Sequence, residues 1–128
     1  MNTTKKIIIC LLAGLIITGC AKKNPIQFCE GVDNAGNGVR CGKKFTTGDI
    51  TGVIKLDKPF EAESLILKII RKERSSAIIE HTISLKVERD KNRVNATLPF
   101  YNSGNYKVEL FRQEDLLAEG PIEIADIQ

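Results

Sequence analysis

Tryptophan is absent from this 128-residue chain, and histidine and methionine occur once each. With His81 as the sole imidazole, no G-x-S-x-G turn, and serines only in turns or within a strand, no Ser-His-Asp constellation assembles. The four cysteines include no C-x-x-C pair, so a structural metal site lacks its ligand spacing. The apolar run Ile7 to Ile17 has 11 residues, well short of the roughly 20 that a membrane-spanning helix needs. These absences argue against an enzyme and against any cofactor or metal.

The first nineteen residues are built like a secretory signal. Lys5 and Lys6 form a positive n-region, Ile7 to Ile17 an apolar h-region, and small residues follow. The tetrad Ile17-Thr18-Gly19-Cys20 resembles the lipobox of bacterial lipoproteins at all four positions. That resemblance implies cleavage before Cys20, a diacylglycerol on its sulfur and often an acylated amine; two or three acyl chains make a durable membrane anchor. Ala21 stands where some lipoproteins of Gram-negative bacteria carry an Asp that keeps them in the inner membrane. The resemblance therefore implies the outer membrane, on its periplasmic or surface face, if the organism has one.

Losing Lys5 and Lys6 takes the 19 Lys+Arg to 17 against 16 Asp+Glu. The mature chain is nearly neutral, which points away from nucleic acid. Its 109 residues, from Cys20 on, suffice for one domain with one modest core. Residues 20–28 read as the lipidated cysteine and a polar tether, and 29–128 as the domain.

Cys10 departs with the signal and Cys20 is lipidated, leaving Cys29 and Cys41. In an oxidising envelope compartment this pair is expected to form a disulfide. Glu30 to Arg40 is rich in Gly, Asn and Asp and reads as a turn held between the cysteines. Within it, Asp33, Asn37 and Gly38 match positions of a calcium loop, but Ala35 and Lys44 fall where oxygen ligands belong.

From Asp49 onward apolar and polar residues alternate, the signature of strands with one buried face. Ile50, Gly52, Ile54 and Leu56 share a face. Leu65 to Ile70 is a nearly continuous apolar strand. Ile79, His81, Ile83, Leu85 and Val87 alternate with polar residues, the tetrad Arg89 to Asn92 reads as a hairpin turn, and Val94, Ala96 and Leu98 mark the returning strand. Tyr106, Val108 and Leu110, then Ile122 and Ile124, give two more. His81 falls on the apolar face and is expected as a satisfied or partly buried core histidine. The expected fold is all-β, an antiparallel β-sandwich of six to seven strands.

The stretch from Leu98 to Val108 is similar to the approach to strand F in immunoglobulin-like and fibronectin-like domains, L-x-x-x-D-x-G-x-Y-x-C. Leu98, Gly104 and Tyr106 match, whereas Asn102 replaces the Asp and Val108 the Cys. The resemblance implies an immunoglobulin-like sandwich without its inter-sheet disulfide. It also implies a structural tyrosine corner, with the Tyr106 hydroxyl bonded to backbone a few residues upstream.

Lys68, Arg71, Lys72, Glu73 and Arg74 form the densest charge run, a hairpin tip where Arg71, Lys72 and Arg74 could meet an anionic headgroup or glycan. Phe100 and Tyr101 are candidate aromatic contacts. The expected role is a noncatalytic binding or structural module, tethered to the lipid bilayer and engaging another envelope protein. The alternative is a protease inhibitor or small-ligand carrier that uses the Cys29–Cys41 loop.

Overall fold

The structure, a computed structural model, describes residues 24–126. The expected signal peptide, the lipobox and Cys20 lie outside the described residues. Nine strands, and no helix, make up the secondary structure of the described residues: β1 (Asn24–Val32), β2 (Gly38–Gly42), β3 (Lys44–Thr46), β4 (Gly48–Lys55), β5 (Ser64–Lys72), β6 (Ala77–Lys86), β7 (Arg93–Phe100), β8 (Gly104–Arg112) and β9 (Asp115–Ala125).

Hydrogen bonds join the strands into a nearly closed sheet in the order β6-β5-β8-β9-β1-β4-β7, with β2 added to β1 and β3 to β9. β6, β5, β8 and β9 are antiparallel neighbours, and so are β1, β4 and β7. A short parallel ladder, Asn24 beside Ala118 and Pro25 beside Glu119, joins the two groups. β3 also runs parallel to β9, with Phe45 beside Ile124.

The inward-facing residues of both groups meet in one apolar cluster. Ile50, Ile54, Leu98 and Phe100 come from one side, and Leu65, Leu67, Ile69, Val108, Leu110 and Ile124 from the other. Each position obeys the period of two, so the alternation seen in β4, β5, β7 and β8 is the alternation of core and surface.

Three expectations need correction. Asn24 to Phe28, assigned to the tether, open β1, with Ile26 and Phe28 buried in the core; flanking Lys, Asn and Pro residues hide this brief alternation. The strand count rises from six or seven to nine, because the Gly-rich segment folds as a hairpin, β1 against β2, and β3 is only three residues long. Arg89 to Asn92 is no hairpin turn. β6 pairs with β5 and β7 with β4, so this segment crosses between the two groups, where Phe60 N–H donates to Lys91 O and Leu56 N–H to Asn92 O.

The chain enters the fold at the end that also holds the β4–β5, β6–β7 and β8–β9 connections. Ile26 is level with Ile54 and, across β4, Val94. The β5–β6 and β7–β8 turns lie at the opposite end, where Gly104 is level with Ile124.

Candidate functional site

At that far end, the first half of β6, the end of β5 and the start of β8 assemble a polar cluster around Tyr106. A bulge in the β5–β6 ladder sets Ile69 opposite His81 but Ile70 opposite Ile79, leaving Glu80 without a partner. The Glu80 side chain, 15% exposed, lies 3.0 Å from Arg71 Nε and 3.3 Å from the Tyr106 hydroxyl. Arg71 Nε is buried and makes no well-aligned hydrogen bond, so its tie to Glu80, and to Glu73 at 3.5 Å, is one of charge.

Tyr106 is buried and packs edge-on against Phe100, ring centroids 5.0 Å apart. Its hydroxyl donates to Asn102 O at 2.7 Å, four residues upstream. Burial above all, then the Glu80 carboxylate as neighbour and acceptor, pushes the phenol pKa above its ordinary 10.0, against a smaller opposing pull from Arg71. Gly104 holds φ +149°, which side chains rarely adopt, and a Cβ there would meet the Arg71 side chain only in ordinary contact.

The sequence candidates divide here. Phe100 is corrected from surface contact to core residue, 1% exposed, because it is an inward position of β7. Arg71 is corrected from free contact to a half-buried partner of Glu80 and Glu73. Lys72 and Arg74 stay exposed and line a groove of about 600 Å³ with Lys43, Glu73 and Glu123. Tyr101 is 69% exposed and meets the edge of His81 at 5.7 Å. His81 is half-buried on an edge strand, not in the core, and Ile79, expected on the buried face, is 53% exposed because the bulge reverses the alternation.

The other candidate element is the β1–β2 hairpin. Cys29 and Cys41 are directly paired residues of β1 and β2 and are joined as a disulfide, as expected. Asp33 Oδ1 accepts from the Ala35 and Asn37 N–H groups, both at 2.9 Å, so the carboxylate closes the turn where a calcium loop would place a ligand.

The hairpin leans back over the outer face of β1, β4 and β7. Arg93 Nη2 donates to Gly36 O at 2.6 Å and to Asn37 Oδ1 at 3.1 Å, and Asn95 Nδ2 reaches Gly36 O at 3.5 Å. This cover explains why Val53, an outward position of β4, is 6% exposed and Cys29 fully buried. The segment read as an inserting loop is thus fastened at base and tip. Glu80, Arg93 and Val53 escaped the sequence reading because a bulge and a long-range clamp leave no periodic trace.

No family model matches the chain, and no curated protein does. Among solved structures it is similar to a superoxide reductase (neelaredoxin) from Ignicoccus hospitalis, with TM-score 0.41 and 16% identity over 67% of this chain and 76% of that one. That neighbour is an enzyme, so the expectation of a non-enzyme is withdrawn. So distant a likeness transfers no activity, and none is assigned.

Proposed function

We propose that this chain is a bacterial lipoprotein whose domain is a binding or structural module of the cell envelope. Residues 1–19 are its signal peptide, and acylated Cys20 is its anchor in the bilayer, the outer membrane where there is one. The observation that carries the reading is Ile17-Thr18-Gly19-Cys20 directly behind a positive n-region and an apolar h-region.

Two features support it. The Cys29–Cys41 disulfide suits an oxidising compartment. The first described residue, Asn24, is already in β1, four positions after Cys20 in the sequence.

The domain is an immunoglobulin-like sandwich on this reading. Support comes from the pairing of β7, β4 and β1 apart from β6, β5, β8 and β9, with core residues of both groups in one cluster. The Tyr106 hydroxyl bonding to Asn102 O is what a tyrosine corner requires. The partner is another envelope protein, met at the end away from the chain's start, where Ile78, Ile79 and Tyr101 are exposed.

Crosslinking from the anchored protein in its native host, followed by mass spectrometry, tests the module. Enrichment of a defined envelope protein over a lipidated control is the expected result, and equal recovery in both would refute it. For the anchor, Cys20→Ala should abolish processing and move the protein out of the membrane fraction. Unchanged fractionation would refute the lipoprotein reading.

A further inference from the structure

The concave surfaces of this near-neutral protein differ in the sign of their walls. Four carry carboxylates: Glu73 and Glu123 in one, Glu30 and Asp49 in another, Glu61 and Glu63 in a third, Glu88 in a fourth. A fifth, of about 590 Å³, lies between the tip of the β1–β2 hairpin and the outer face of β1, β4 and β7. Its charged lining is cationic only, Lys55 and Arg93, with Pro25, the Ile26 backbone, the covered Val53 and the Gln27 and Asn37 amides beside them.

Lys55 and Arg93 are directly opposite each other on β4 and β7. Like charges in that relation work against the fold, and among the described residues neither forms an ion pair with a carboxylate. Residues 1–23 contain no Asp or Glu to supply one. The hairpin tip holds the guanidinium through Nη2 alone, so the remaining N–H donors of its fork are free to meet an anion. An unneutralised cation pair, its Arg93 held in place by the hairpin tip and the exposed Pro25 ring beside it, suits a phosphate ester.

Position narrows the source. Pro25 is the second residue of β1, so the groove lies at the end where the chain enters the fold. Four residues separate it from Cys20, five steps that span at most about 18 Å, and Lys22 and Lys23 lie within that span. The basic β5–β6 tip is on the other end, a strand length of roughly 30 Å away.

We infer that the Lys55–Arg93 groove is a membrane-contact site that takes the phosphate of an anionic phospholipid headgroup and sets the tilt of the domain on the bilayer. This rests on the lipid anchor proposed above. Lys55 and Arg93 bind the phosphate oxygens, and the exposed Pro25 ring packs against the glycerol.

The test uses the full processed chain in phosphatidylcholine nanodiscs with and without phosphatidylglycerol, reading backbone amide shifts, with glycerol phosphate as a soluble probe. Phosphatidylglycerol should move the Lys55, Arg93 and Asn37 amides. Lys55→Gln should weaken the response about fivefold, the share of one basic residue at an anionic surface. Lys55→Glu should abolish it and yet raise the melting temperature, because the variant replaces a like-charge pair by an opposite one; unfolding therefore cannot be the cause of the loss. Shifts that ignore Lys55→Gln, or that centre on Lys72 and Arg74, would overturn the site. A response to glycerol phosphate with none to phosphatidylglycerol would overturn the headgroup as its ligand. Cys20→Ala separates the two readings: unchanged fractionation with intact glycerol phosphate shifts sinks the anchor alone, whereas altered fractionation with no shifts sinks the groove alone.

Discussion

Two hairpins of this fold, β1–β2 and β5–β6, are fastened by opposite means. The β1–β2 hairpin has almost no apolar side chain between Glu30 and Arg40, so burial cannot fix its register. It is closed instead by the Cys29–Cys41 disulfide at its base and by Arg93 and Asn95 on the Gly36 carbonyl at its tip. The β5–β6 hairpin sends Leu65, Leu67 and Ile69 into the core and packs Ile83 and Leu85 against it. Its tip has the Glu73 N–H bonded to Ser76 O and leaves Ile78 and Ile79 open to water. Where the chain supplies apolar area, burial enforces the pairing; where it does not, covalent and polar ties take over.

Cutting the covalent tie tests the comparison hardest. Cys29→Ala with Cys41→Ala should lower the unfolding free energy by roughly 3 kcal/mol, the loop-closure value for so short a ring. Urea titration measures the loss, and amide exchange should speed up across residues 30–40 while β5 and β6 hold. Gly38→Ala probes the same place by crowding, because a Cβ there falls on both cysteine sulfurs. The variant should lose about 2 kcal/mol. In the background without the two sulfurs most of that loss should vanish, a coupling that a double-mutant cycle reads.

Tyr106→Phe acts on the end that burial stabilises and should cost about 1.5 kcal/mol by stranding the Asn102 carbonyl. It also changes the alkaline limb. The folded state holds the phenol pKa above its ordinary value, so that contribution is whole below the unfolded value and drains away as pH climbs through the folded one. The wild type should therefore lose stability above about pH 10, by a slope missing in Tyr106→Phe. Smallest is Ile79→Thr on the exposed edge, expected within about 0.5 kcal/mol of the parent by thermal melting. A loss as large as that of the cysteine pair would show that Ile79 is packed and not open to water.

Much of this molecule was legible from period-two patterning. The faces of β4, β5, β7 and β8 follow from Ile50 and Ile54, Leu65 to Ile70, Ala96 and Leu98, and Val108 and Leu110, because alternation reports which way a side chain points. Alternation is silent about which strand lies beside which. Arg89 to Asn92 therefore looked like a hairpin turn, although β6 and β7 belong to different groups of strands. Bulges escape for a related reason: one unpaired residue, Glu80, turns Ile79 outward and brings a carboxylate to Tyr106. Cys29 and Cys41 could be paired by elimination, but Arg93 could not be placed on Gly36, 57 residues away in the chain. Lys55 and Arg93 looked unremarkable until the β4–β7 register set them face to face.

β1 and β3 flank β9 in the same direction, beside Ala118 and Glu119 first and Glu123 to Ala125 afterwards. In effect one edge position is filled by two pieces of chain, and the disulfide-closed segment is a detour that leaves this rail and rejoins it. The detour is a cassette: apart from the Arg93 and Asn95 bonds to its tip and the shelter it gives Val53, its length and composition are decoupled from the rest of the domain. Lineages of this domain would then diverge fastest in that insert, while the rail on either side of it stays fixed.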